Sequence, residues 1–107
     1  MTDQLEPAVR TLIDAANAGN TDAFLSGFTA DGVVDDWGRE FRGAGGIRSW
    51  SDSEFIGRRV SLAVRSVAAR GGRTEVIADV GGGGFNGPST FSFEVDGDRV
   101  DRMTIRA

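Results

Sequence analysis

The sequence contains no histidine, no cysteine, no tyrosine and no lysine. Each absence removes a class of chemistry. Without histidine no side chain titrates near neutrality unaided, so serine-histidine triads and histidine-ligated zinc are excluded. Without cysteine, disulfides, thiol nucleophiles and thiolate metal sites disappear together. All 12 basic residues are arginine, which removes Schiff-base chemistry on the chain. Without tyrosine no phenol can donate to a developing oxyanion. Proton transfer therefore falls to a carboxylate or to water. Long apolar runs are missing too, as is an N-terminal charged start followed by an apolar stretch. Neither a membrane span nor a signal peptide is expected, and the expected location is the cytoplasm.

A length of 107 residues suits one modest core, so a single domain over residues 1–107 is expected. Hydrophobic residues at 39% and charged residues at 26% are the balance of a folded chain rather than a disordered one. The net charge is -4 with acidic residues spread along the chain, which is the opposite of a nucleic-acid footprint. Carboxylates are the only strong metal ligands available, and none shows calcium-loop spacing, so no metal or cofactor is expected.

Leu5, Ala8, Val9, Leu12, Ile13 and Ala16 recur at three-and-four spacing, predicting an amphipathic helix. Its start is open: Asp3 is a candidate cap, whereas Pro7 favours a start at the first turn. Gly19 closes it, and Asn20 or Thr21 caps a second short helix carrying Phe24, Leu25 and Phe28 on one side. Val33 to Trp37 read as a short strand that returns through Arg39 to Arg42. Gly43, Gly45 and Gly46 break the pattern, and Ile47, Trp50 and Phe55 predict a third short helix closing near Gly57.

Everything after Arg58 reads as sheet. Val60, Leu62 and Val64 alternate with polar or small residues, and the phase slips at Ser66 to Val67, as at a bulge. Gly71-Gly72 and Asp96-Gly97 are hairpin turns. The strand Arg73 to Val80 places Val76, Ala78 and Val80 on one face with Ile77 and Asp79 on the other. Pro88 marks Phe85 to Ser89 as edge or loop, while Phe91, Phe93 and Val95 form a half-buried strand followed by Arg99 to Arg106. Helices first and strands last define an α+β class with helices on one face of a curved sheet.

This element order, the segments FTADGVVDDW and GREFRGAGGIRSW, and the closing DGDRVDRM resemble the nuclear transport factor 2-like superfamily. Its SnoaL-like and ketosteroid isomerase-like branch is the nearest match. Phe28, Asp31, Val33, Asp36, Arg42, Gly43, Ile47 and Trp50 occupy the positions of that branch's diffuse motif, and the likeness runs from Val9 to Ile105. The resemblance implies a cystatin-like cone, in which N-terminal helices pack in a strongly bent antiparallel sheet around a pocket. That pocket would be bounded by the first helices, the Val33 to Trp37 strand and the later strands. The run Gly81 to Gly84 would serve a bend or bulge there; no Lys-Ser/Thr follows it, which excludes a phosphate loop.

By the same resemblance Asp36 is the candidate general base, removing a proton next to a carbonyl and returning it one position further on, as an aspartate does in ketosteroid isomerase. The plainer reading is that Asp35 and Asp36 end a strand, accepting backbone amides or pairing with Arg39 or Arg42. The isomerase's oxyanion donors are absent: there is no tyrosine, and the late-strand acid position falls near Thr90 or Phe91. Loss of one such donor costs about a hundredfold to a thousandfold in rate, so the familiar reaction in its familiar form is not expected. Asp79 and Asp101 are weaker candidates that strand parity and a surrounding charge run send to solvent.

Phe24, Phe28, Trp37, Trp50, Phe91 and Phe93 are the expected pocket aromatics, with Trp37 the apolar neighbour that would desolvate Asp36 and raise its pKa. The expected partner is a small apolar molecule. The functions in play are a SnoaL-like protein catalysing isomerisation, cyclisation or dehydration, a non-catalytic binder, and an interaction module. A homodimer is expected from the fold likeness and from outward apolar residues such as Ile77 and Ile105.

Overall fold

Pro7 opens the first helix because its missing N–H is one the first turn would leave unpaired anyway. A computed structural model describes residues 5–107; the alternative cap Asp3 lies outside them. Helix α1 (Pro7–Ala18) buries Ala8, Val9, Leu12, Ile13, Ala15 and Ala16, the stripe its spacing predicts. It ends where Gly19 turns left-handed at φ 70°, and the Gly19 and Asn20 amides donate to the carbonyls of Ala16 and Ala15. Asn20 then accepts from the Ala23 amide at 3.0 Å and starts α2 (Thr21–Ser26). Asn17 fastens the end of α1 to the sheet, its side-chain amide donating to Leu62 O at 3.0 Å and accepting from Leu62 N at 2.6 Å.

The remaining elements are β1 (Phe28–Asp36), β2 (Arg39–Arg42), α3 (Gly43–Glu54), a single 3-10 turn (Ile56–Arg58), β3 (Ser61–Arg70), β4 (Arg73–Gly81), β5 (Gly87–Asp96) and β6 (Arg99–Arg106). The strands form one sheet in the order β2-β1-β6-β5-β4-β3. The fold is α+β, with helices packed on a curled six-stranded sheet. The sheet is mixed rather than wholly antiparallel: β1 runs parallel to β6, and α3 and four strands intervene before the chain returns beside its first strand. Among the described residues no helix is long and apolar enough to cross a membrane.

Several boundaries differ from expectation for local reasons. Phe28 opens β1 instead of closing α2, its ring still meeting Phe24 edge-on at 5.3 Å. Gly43 to Gly46 do not break the chain; they form the first turn of α3, and Ile47 and Trp50 anchor that helix to the core. Pro88 lies inside β5, at a stretch where β5 extends past its last partner on β6 and no hydrogen bond on that side is lost. The phase slip at Ser66 is a register shift between Val64 and Ser66. Ile105 faces inward and is 7% exposed, not outward, because a shift at Glu94/Val95 resets the alternation so that Val100, Met103 and Ile105 are all buried.

The core joins α1 and α2 to the concave side of the sheet, with Phe24, Phe93, Leu12, Val34 and Val76 fully buried. Phe24 touches Phe28 and Phe55, and Phe55 stacks on Trp50 at 4.7 Å, so a row of rings runs from α2 to α3. That row fills the space under the first helices. The cavity is thereby displaced toward α3.

Candidate functional site

Strand alternation sends Asp35 and Asp36 to opposite faces of β1. Asp36 shares the inner face with Val34, and its carboxylate meets the α3 side chains. Trp50, held by its stack on Phe55, donates Nε1–H to Asp36 Oδ2 at 3.0 Å. Arg39 donates to the same oxygen at 2.7 Å and forks onto Glu54 with bonds of 3.0 and 2.7 Å. The Arg39 bond, aided by nearby Arg58, holds the Glu54 carboxyl below the usual range, and Glu54 in turn raises the Arg39 guanidinium above its own. Both bonds to Asp36 fall on Oδ2. Among the described residues Oδ1 has no donor, and the side chain keeps 15% of its surface exposed.

Asp36, Trp37, Arg39, Trp50 and Glu54 edge a cleft of about 610 Å³, a size usual for a small-molecule site. Its apolar floor is Phe55, Val60, Val80, Phe91 and Ile105. The far rim carries Arg58, the glycine loop and Phe85. Gly82 makes that rim possible: its φ is 119°, and a Cβ there would come 2.6 Å from Arg59 O. The loop thus closes onto the 3-10 turn, tied by Gly83 N to Arg58 O at 2.7 Å.

Of the aromatics expected at the pocket, Trp37, Trp50 and Phe91 border the cleft, whereas Phe24, Phe28 and Phe93 lie in the core at 1–4% exposure and do not line it. The boundary expected at the first helices is supplied instead by α3 and the 3-10 turn, because the ring row occupies the space beneath α1 and α2. Trp37 does not bury Asp36. It takes φ 56° in the Trp37-Gly38 turn and is 61% exposed; the aromatic against the carboxylate is Trp50. The polar role of Trp50 is not legible in the sequence, since nothing there reveals where an indole N–H points.

Ser89 escapes a reading of the sequence. It shares the inward face of β5 with Phe91 and Phe93, lines the cleft at 4% exposure, and its hydroxyl has no protein partner among the described residues. Buried hydroxyls are normally paired, so this one is available to something in the cleft. The signal is the even spacing of Ser89, Phe91 and Phe93, hidden by the proline before it. Asp79 is exposed and lies 3.5 Å from Arg65, while exposed Asp101 accepts from Thr29 at 2.9 Å. Among the described residues no three acidic side chains gather as a metal site requires.

Asp35, on the outer face, is bound differently. Its Oδ1 accepts from Arg106 at 3.0 Å and from the Gly38 amide at 2.8 Å, and its Oδ2 accepts from Arg102 at 2.8 Å. The Arg106 bond leads in holding its carboxyl below the usual range, against the opposing effect of burial, and the Gly38 and Arg102 bonds add to it. This carboxylate pins the turn that carries Trp37.

A small curled-sheet fold with an apolar cleft and a carboxylate at its mouth defines the class. No family model and no curated protein matches the sequence. Solved structures do. A Sinorhizobium meliloti protein described as a candidate polyketide cyclase aligns at TM-score 0.82 and 26% identity over 95% of both chains. A Catenulispora acidiphila protein of ketosteroid isomerase-like fold, solved with trimethylamine, aligns at 0.81 and 19% identity over 97% of this chain and 87% of its own. A Mycobacterium tuberculosis protein in complex with estradiol-17beta-hemisuccinate aligns at 0.79 and 15% identity over 92% of this chain and 88% of its own. The chain has the nuclear transport factor 2-like fold, in the form shared by SnoaL-like and ketosteroid isomerase-like proteins.

Proposed function

We propose that the cleft binds a small apolar carbonyl compound and that Asp36 moves a proton on it, as in isomerisation, cyclisation or dehydration. The observation that carries this reading is the unpartnered Oδ1 of Asp36 at an apolar cleft that, among the described residues, also holds the buried and uncommitted Ser89 hydroxyl. Trp50 and Arg39 hold the carboxylate by its other oxygen, so orientation is provided before a ligand arrives. Oδ1 accepts the proton from the carbon beside the carbonyl while Ser89 donates to the carbonyl oxygen as negative charge develops there. Return of that proton to a conjugated carbon completes an isomerisation with no other reactant. Trp37, Trp50 and Phe91 contact the ligand's apolar body in this reading. Phe24, Phe28 and Phe93 support the walls.

The test needs no natural substrate. With β-tetralone in deuterated buffer, the protein is expected to speed incorporation of deuterium next to the carbonyl, and Asp36→Asn is expected to abolish the effect while the ketone still binds. Binding with no exchange above buffer supports the second reading, a non-catalytic binder, which is favoured by Ser89 being one neutral donor where such reactions usually have more. A homodimer is also proposed, on the exposed Ile77 and Val64 of the β3–β4 pair. Sedimentation as a monomer at high concentration would remove it.

A further inference from the structure

Two guanidiniums border the cleft, and they differ in what they already hold. Arg39 is committed to Asp36 and Glu54. Arg58 has no ion pair among the described residues. Its Nε–H donates to Ser53 O at 3.0 Å, which fixes the plane of the fork and leaves both terminal nitrogens without an acceptor among the described residues. The backbone at Arg58 is fixed as well. The Arg58 carbonyl accepts from the Gly83 amide at 2.7 Å, which ties the residue to the glycine loop. Glu54 is the nearest competitor, but both its oxygens are taken by Arg39. Arg58 thus stands beside Glu54 and the glycine loop as the cleft guanidinium with its terminal nitrogens uncommitted, whereas Asp36, Arg39 and Glu54 are bound to one another.

Resting on the reading of the cleft as a small-molecule site, we infer that its ligand is an apolar carboxylic acid, bound as the anion with its carboxylate on Arg58. The planar fork of one guanidinium matches a carboxylate through two parallel hydrogen bonds. The apolar body then covers Phe55, Phe91 and Ile105, which line the same cleft as Asp36 and Ser89. Arg58 is a specificity-determining residue in this arrangement and takes no part in proton transfer.

The test compares β-naphthylacetate with its neutral amide by titration calorimetry near neutral pH, with the Trp50 indole N–H resonance locating the binding. The acid is expected to bind about tenfold tighter than the amide, the advantage of a charge-assisted pair over a neutral one. Arg58→Met is expected to lower acid affinity to that of the amide and leave the amide unchanged; Arg58→Lys is expected to recover part of the difference. Added salt is expected to weaken only the acid. Equal affinities in the unaltered protein, or a preference that survives Arg58→Met, overturn the inference alone. Failure of both probes to bind, or binding that leaves Trp50 unmoved, overturns the reading of the cleft along with it.

Discussion

Asp35 and Asp36 are adjacent in sequence and opposite in employment. On the outer face, Asp35 spends both oxygens on two arginines and a turn amide, and its acidity is strengthened by the Arg106 bond. On the inner face, Asp36 is held through one oxygen only and offers the other to a cleft. The difference shows that local sequence does not determine the work of an acid. Strand parity assigns each to its face, and the partners brought there by distant elements decide whether a lone pair remains.

The largest effect that would sharpen this comparison is on rate. Asp36→Asn keeps an acceptor for Trp50 but removes the proton acceptor, so catalysed exchange of a ketone is expected to fall by about a hundredfold to ten-thousandfold. Thermal stability should change little. Unaltered exchange would collapse the distinction between the two acids.

Asp35→Asn should do the reverse, lowering unfolding free energy by about 1.5–3 kcal/mol, the range for hydrogen bonds to a charged group, while exchange at the cleft is retained. Denaturant titration measures the first and deuterium incorporation the second. The pH dependence has a definite sign. Because the folded state holds Asp35 below its ordinary value of 3.8, the stabilisation is fully present above that value and is lost as pH falls through the depressed folded value. The stability gap between the unaltered protein and Asp35→Asn should therefore narrow on acidification below 3.8. A gap independent of pH would mean that the Arg102 and Arg106 bonds contribute nothing specific to the charged form.

The smallest expected effect concerns the cleft's neutral donor. Ser89→Ala removes a single hydroxyl bond to the ligand carbonyl, worth about 0.5–1.5 kcal/mol. Ketone binding measured by calorimetry should weaken correspondingly. Unchanged binding would take Ser89 out of the site.

Much of the scaffold is readable in the sequence, because it follows from periodicity and turn chemistry. The α1 stripe, the left-handed Gly19, the slip at Ser66 and the two-residue turn at Gly71 all express local rules. The parallel β1–β6 pair and the inward Ile105 are not readable, since both depend on pairings between residues far apart in the chain. The site divides in the same way. Asp36 can be picked out by its place in a motif, but its partners Trp50, Arg39 and Glu54 meet it only when α3 folds across β1. Trp37 misleads for a definite reason: next to Asp36 in sequence, it is turned outward by a tight turn that Asp35 itself stabilises.

The central claim is that a cleft ligand engages the Asp36 side of β1 and not the Asp35 side. Each acid has a nitrogen reporter, the indole N–H of Trp50 for Asp36 and the Nη2–H of Arg102 for Asp35. Titration of nitrogen-15 labelled protein with β-tetralone tests it most directly. A saturable shift of the Trp50 resonance with Arg102 unmoved is the predicted result; a shift at Arg102 with Trp50 unmoved would contradict it.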